Sequence, residues 1–208
     1  MKAKDIVKKG YNKIAEKYLE FRKRDNNIEL SVFHEFLEYL PEKGLVLDVG
    51  CGAGIPFTKF ISKKSKVIGV DISKKQIELA KKHVPEGTFL CMDMLNINFP
   101  CDSFDGIVCI YTIIHVPSEK HSNLLKKFQK ILKPGGYLFI SLSKDKHTNI
   151  EKDWFGAEMF WSSLDISSYY AILKEKGFEI IQNKELPDSL GSNDVHFIIA
   201  KKKKEINK

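Results

Sequence analysis

The stretch Leu45 to Gly54, Leu-Val-Leu-Asp-Val-Gly-Cys-Gly-Ala-Gly, constrains the chain more than any other. An apolar run carrying one acid breaks into alternating glycines, followed by Pro56 and by Phe57, Phe60 and Ile61 at helical spacing. Strand, glycine turn and helix, in that order, are how an open α/β sheet presents a crevice at the carboxyl end of its first strand. Gly50, Gly52 and Gly54 permit a sharp turn and a close approach of backbone to ligand, because no Cβ stands in the way. The start of the following helix offers free N–H groups to a carboxylate, and Pro56 suits its first position.

Spacing narrows the reading. Nucleotide-binding dehydrogenases carry a third glycine three residues after the second, and here Ile55 occupies that place. Lys66 to Asp71 is a second buried strand ending in an acid, 23 positions after Asp48. That gap is close to the roughly 20 residues expected for an acid that binds ribose hydroxyls. Ser73-Lys-Lys-Gln76 reads as a capping box opening the next helix. Thr88 to Asp93 is a third strand that again ends in an acid, and Gly106 to Ile110 a fourth.

The remaining elements follow from periodicity and punctuation. Val7, Tyr11, Ile14, Ala15 and Tyr18 predict an amphipathic helix over residues 4–22, and Phe33, Phe36, Leu37 and Leu40 a second that stops at Pro41. A helix through Leu124 to Leu132 is halted by Pro134-Gly-Gly136, and Tyr137 to Leu142 is the fifth strand. Residues 144–164 lose the pattern and hold both tryptophans, Trp154 and Trp161, with Phe155 and Phe160. They follow a central strand where such sheets bind ligands, so an aromatic wall for a small apolar or cationic acceptor is expected there. A helix over Ser167 to Lys176, ended by Gly177, precedes an antiparallel hairpin of Phe178 to Gln182 and His196 to Lys201, joined through Pro187 and Gly191.

The Asp-x-Gly-x-Gly-x-Gly pattern resembles the first motif of the class I S-adenosylmethionine-dependent methyltransferases, and Leu-Lys-Pro-Gly-Gly-Tyr-Leu before the fifth strand resembles another stretch of that family. Tyr-Asn-Lys-Ile-Ala-Glu-Lys-Tyr resembles the N-terminal segment of its small-molecule members, which packs over the cofactor as part of a lid. The resemblance covers about Tyr11 to Ala200. It implies an α/β, Rossmann-like, doubly wound seven-stranded sheet, mostly parallel with an antiparallel last strand, preceded by two helices. It implies S-adenosyl-L-methionine as cofactor, held by Tyr11, Tyr18, Asp48, Gly50, Cys51, Gly52, Gly54, Asp71, Ile72, Asp93, Met94 and Ile110. Tyr111 joins Trp154, Phe155, Phe160 and Trp161 as expected acceptor contacts. His115 stands where family members acting on small molecules often carry a histidine. Its ordinary pKa near 6.5 suits proton abstraction, and a histidine merely bonding backbone is the competing reading.

Composition bounds the partners. The chain of 208 residues, 43% hydrophobic, suffices for one domain, read as a helical lid over about 1–40, an aromatic insert over about 144–164 and a disordered basic tail over about 202–208. No apolar run approaches the roughly 18–20 residues of a membrane span, and the start Met-Lys-Ala-Lys-Asp lacks the apolar segment of a signal peptide. Cys51, Cys91, Cys101 and Cys109 form no Cys-x-x-Cys pair, so reduced thiols in a cytoplasmic protein and no metal are expected. Of the net charge of +7, the last eight residues supply four, and Arg22 and Arg24 are the only arginines. That distribution, and the absence of Asp/Asn-Pro-Pro-Tyr after the fourth strand, disfavour nucleic acid as a partner. The expected activity is methyl transfer to an oxygen or nitrogen of a small-molecule acceptor. The alternatives are an RNA methyltransferase and a non-catalytic S-adenosylmethionine-binding module.

Overall fold

The computed structural model describes residues 2–23, 29–187 and 194–204. The chain opens with helices α1 (Ala3–Arg22) and α2 (Leu30–Glu38). Strand β1 (Leu45–Val49), helix α3 (Phe57–Ser62), strand β2 (Lys66–Asp71), helix α4 (Lys74–His83) and strand β3 (Thr88–Cys91) follow. Then come β4 (Phe104–Cys109), helix α5 (His121–Ile131), β5 (Leu132–Ser143), β6 (His147–Trp154), β7 (Ala157–Ser163), helix α6 (Ile166–Glu175), β8 (Phe178–Pro187) and β9 (Asp194–Lys202).

Seven strands form one sheet in the order β3-β2-β1-β4-β5-β9-β8. β1 pairs in parallel with both β2 and β4, so the strand order reverses direction there and opens a crevice at their carboxyl ends. Only β9 runs against the rest, antiparallel to both β5 and β8. Two-residue alternation sends the strands' side chains to opposite layers. Leu47, Ile107 and Leu138 pack with α5 and α6 through Phe128, Tyr169 and Leu173, while Val46, Val108 and Phe139 pack with α2 and α3.

The N-terminal helices do different jobs. Phe33 and Phe36 of α2 are fully buried, with ring centroids 5.6 and 5.3 Å from that of Phe139. The roofing segment expected over residues 1–40 therefore ends with α1, because α2 spends its apolar face on the sheet. Residues 144–164, expected to be irregular, form a β6–β7 hairpin whose turn holds Phe155 and Gly156 at φ of +54° and +98°. Positive φ at both central positions is the hairpin-turn conformation. β6 is exposed along most of its length, so it carries no inside–outside alternation to read. β7 buries Met159 against α1, where Gly10 is required: a Cβ there would lie 2.7 Å from the Glu158 carbonyl oxygen.

Lys202, expected at the start of the basic tail, instead belongs to the sheet. Lys202 lies within β9, and its ammonium donates to Asp102 Oδ1 at 2.8 Å and to the Leu132 carbonyl at 2.7 Å. Residues 205–208 and the expected loop position Gly191 lie outside the described residues. Among the described residues no helix is long and apolar enough to cross a membrane. Truncating a ring buried between helix and sheet removes its transfer energy and leaves a cavity. Phe36→Ala should therefore cost about 3–5 kcal/mol in chemical denaturation. A loss under about 1 kcal/mol would put α2 outside the core.

Candidate active site

The glycine turn is tied down from two sides. Gly50 and Cys51 N–H groups donate to the Val70 carbonyl at 2.7 and 3.1 Å, and Gly52 N–H donates to Asp71 Oδ2 at 3.0 Å. Asp71 Oδ1 accepts from Ser73 N–H at 2.8 Å. One carboxylate thus links the turn, the end of β2 and the start of α4. Burial pushes its pKa up to about 6 against the pull of those backbone donors. Ser73 Oγ accepts from Gln76 N–H, the first half of the expected capping box. The second half is absent, because Asp71 has taken the Ser73 N–H that Gln76 would bond.

Above this turn lies a cleft enclosing about 720 Å³, part of it open to solvent. Gly50, Gly52, Asp71 and Ile72 form one side of it, and Asp93 and Met94 close one end, Asp93 being anchored through a bond from Leu95 N–H at 2.9 Å. Ile110, Tyr111 and His115, from the segment after β4, form the other side, and Tyr11 and Tyr18 of α1 form the roof. Eleven of the expected site residues therefore converge on one space, brought there from five separate parts of the chain.

The other expected residues stand behind it. Asp48 is buried beneath the turn, accepts from Thr58 Oγ at 2.5 Å, and is pushed by burial up to about 7. Gly54 backs onto α4, where an added Cβ would lie 3.1 Å from Val84. Cys51 lines an adjoining cavity of about 390 Å³ and packs with Ile77, Ala80 and Phe89. Trp154, Phe155, Phe160 and Trp161 do not line the cleft. They form a second layer, with the Trp154 ring 5.6 Å from Tyr11 and 5.3 Å from Tyr18, because β7 presents its apolar side to α1.

His115 is the most constrained polar group of the site. The Phe160 carbonyl of β7 can only accept, so His115 Nδ1, 2.9 Å away, carries the proton. That leaves Nε2 as an acceptor, and the Tyr11 hydroxyl donates to it at 2.8 Å. Burial pushes the His115 pKa down to about 4 and raises that of Tyr11. Both are held neutral, as an imidazole backed by a carbonyl and faced by a phenol. The Trp161 ring, 4.7 Å from the imidazole, closes its far side.

Sequence reasoning missed several contributors. Arg22 reaches the adjoining cavity from the end of α1, paired with Glu29 at 2.7 Å and lying over the faces of Phe57 and Tyr111. As one of two arginines in the chain, near the end of the first predicted helix, it was the one of these that composition could have flagged. Thr112 fills the space beside Gly50, and Val7, Leu95, Val116 and Pro117 supply apolar lining. Tyr111 adopts φ of +53°, uncommon for a residue with a side chain, with its N–H donating to Ser141 Oγ at 2.6 Å.

Residues 46–136 match a family model described as a methyltransferase domain. An uncharacterised protein of Rickettsia prowazekii is 29% identical over 158 residues, 70% of this chain and 63% of that protein. A ubiquinone biosynthesis O-methyltransferase of Coxiella burnetii is 35% identical over 106 residues, 46% of this chain and 42% of that protein. The chain thus spans less than two thirds of the length of either relative. The fold is that of a magnesium protoporphyrin IX methyltransferase from Synechocystis solved with S-adenosylhomocysteine, at a TM-score of 0.72 and 19% identity, covering 97% of this chain and 100% of that one.

The two central glycines make a sharp contrast. A Cβ on Gly50 would lie 2.1 Å from a Thr112 carbon, whereas one on Gly52 would meet, among the described residues beyond its chain neighbours, only Gln76 Oε1, at 3.9 Å. Both positions have positive φ, so both alanine variants carry backbone strain of about 1–2 kcal/mol. Gly50→Ala should lose roughly 1–3 kcal/mol more than Gly52→Ala through overpacking. Thermal unfolding of the two variants checks this, and equal losses would contradict the packing of the turn against Thr112.

Proposed function

We propose that this chain, whose residues 46–136 match a methyltransferase domain, is a class I S-adenosylmethionine-dependent enzyme that transfers a methyl group to an oxygen or nitrogen of a small-molecule acceptor bound under α1. The observation that carries this reading is a single roofed cleft with the Asp71 carboxylate on one side and the neutral Tyr11–His115 pair on the other.

The residues present fit S-adenosylmethionine. Gly52 has open space where a Cβ would stand, and Asp71 lies within the cleft as an acceptor for a vicinal diol. Ile72 and Met94 offer apolar flanks to a flat ring, with Asp93 beside them. The Arg22 guanidinium, in the adjoining cavity shared with Gly52 and Tyr18, supplies positive charge for a carboxylate. When bound, the cofactor supplies an electrophilic sulfonium methyl.

The chain's part is placement and proton handling. Fixing acceptor and donor in line can supply on the order of 7–11 kcal/mol of the barrier. Tyr11 lines the cleft with its proton directed to His115 Nε2, so in this reading its oxygen takes the acceptor's proton as its own passes to Nε2. The Phe160 carbonyl keeps Nδ1 protonated and so keeps Nε2 available. Burial disfavours the resulting imidazolium, which makes this relay best suited to an acceptor that yields its proton readily. The roof of Val7, Tyr11 and Tyr18 supports a small acceptor, and similarity to the Coxiella O-methyltransferase supports oxygen as one acceptor atom.

Release of S-adenosylhomocysteine across a panel of small hydroxyl- and amine-bearing acceptors tests the activity, and no turnover by a protein that binds S-adenosylmethionine would overturn it. Asp71→Ala should weaken cofactor binding by about 1.5–3 kcal/mol in calorimetry, by removing charge-assisted bonds. His115→Ala should slow the chemical step roughly 10²–10⁴-fold at nearly unchanged cofactor affinity, and Tyr11→Phe should slow it comparably. A normal single-turnover rate in both variants would leave positioning as the whole mechanism.

The pH dependence follows from burial. Asp71 accepts charge-assisted hydrogen bonds at both oxygens only when ionised, so cofactor affinity should fall as pH drops through about 6. His115 stays neutral until about pH 4, so the rate at saturating cofactor should hold level from pH 8 to about 5. A saturated rate that falls through pH 6.5 would show His115 titrating as an exposed histidine does.

A further inference from the structure

The roof of the cleft is one stripe of α1. Lys4, Val7, Tyr11 and Tyr18 are the residues of that helix that line the cleft, and Lys4, Tyr11 and Tyr18 recur at intervals of seven. Residues so spaced lie on one face of a helix. Tyr11 marks the reacting centre through its bond to His115, and Tyr18 continues toward the adjoining cavity that holds Arg22. In the other direction the stripe passes Val7 and ends at Lys4, about 10 Å along the axis from Tyr11 at the rise of an α-helix. Gly52, Asp71, Ile72, Asp93, Met94 and Arg22 fit the cofactor. That leaves Lys4, Val7, Val116 and Pro117 of the cleft lining for the acceptor.

Charge sets Lys4 apart. Among the described residues it is the only cation lining the main cleft, since burial holds His115 neutral. Among the described residues it also has no hydrogen bond or ion pair. Other lysines of α1 are spent elsewhere. Lys13 and Lys17 donate to the Gly156 and Phe155 carbonyls of the hairpin turn at 2.7 and 3.1 Å. The two acids of the cleft are engaged as well, Asp71 by the Gly52 and Ser73 N–H groups and Asp93 by that of Leu95.

We propose that the acceptor carries a carboxylate, bound by Lys4, at the end of its apolar body away from the atom that takes the methyl group. The proposal rests on the reading of the cleft as a methyl-transfer site and narrows its acceptor to an acid. One ammonium balances one charge, whereas a phosphate monoester carries close to two and is better matched by a guanidinium. The span from Tyr11 to Lys4 selects an acid whose nucleophile and carboxylate stand about two helical turns apart. Lys4 then sets specificity, and the chemical step stays with Tyr11 and His115.

Caffeate offers hydroxyls and para-aminocinnamate an amine, and each can be compared with its uncharged carboxamide. In the unaltered protein kcat/KM should favour the acid of at least one pair by roughly three- to tenfold, the range open to an exposed charge. That preference should lie in KM and fade in molar salt, where the screening length falls to about 3 Å. Lys4→Gln should abolish the preference, Lys4→Glu should reverse it and Lys4→Arg should keep it. An undiminished preference in Lys4→Gln, or equal turnover of acid and carboxamide by the unaltered protein, would overturn the role of Lys4 alone. So would a Lys4→Gln variant that loses S-adenosylhomocysteine affinity in calorimetry by the same factor, since Lys4 would then serve the cofactor. Failure to methylate any of the four compounds, by a protein that binds S-adenosylhomocysteine, would overturn the proposed activity and this inference with it.

Discussion

A single half-buried carboxylate organises the business end of the sheet. Asp71 ends β2, receives the Gly52 N–H on one oxygen and receives the Ser73 N–H on the other. The first bond holds the turn after β1 in its left-handed course, and the second starts α4. Through Ser73 Oγ and Asn12 the same point also reaches α1, whose Asn12 Oδ1 accepts from Lys75 N–H as well. Burial opposes the charge that these bonds require and leaves the group poised near pH 6. Ligand hydroxyls then supply the stabilisation that water would otherwise give.

The opposite side of the cleft is built by layering. The β6–β7 hairpin packs under α1, with Trp154 against Tyr11 and Tyr18, and its Phe160 carbonyl sets the tautomer of His115. The hairpin therefore acts on the site through two intermediaries, one aromatic and one backbone. Ser162 Oγ adds a third tie by accepting from Ser118 N–H at 3.0 Å, which fixes the segment that follows His115. A short insert thus decides both the height of the roof and the protonation pattern beneath it.

Legibility differed between the two sides. The half built by β1, β2 and β3 follows local rules, with alternate glycines for the turn and an acid at each strand end, so Gly50, Gly52, Asp71, Asp93 and Met94 were all placed in one crevice from spacing and resemblance. The half built by α1, the hairpin and the segment after β4 joins residues 104 positions apart, as in the bond between Tyr11 and His115. Position alone suggested that they meet. Which nitrogen carries the proton, and that the two tryptophans stand behind the tyrosines rather than in the cleft, depended on a hairpin whose mostly exposed β6 carries no alternation.

The sequence by itself determined the α/β order and the strand-end acids Asp71 and Asp93, because each rests on hydrophobic period, glycine conformational freedom or strand-end position, while its resemblance to a family implied the seven-stranded sheet with a reversed last strand. Only the tertiary structure decided that α2 belongs to the core and α1 to the roof, since both helices show the same apolar periodicity. It also decided that His115 is neutral down to about pH 4 and that Gln76 is left without its capping partner. Both outcomes depend on burial and on competition for a donor, and a one-dimensional pattern carries neither. Desolvation is set by what packs against a group, and hydrogen bonds are shared out among neighbours that only folding brings together.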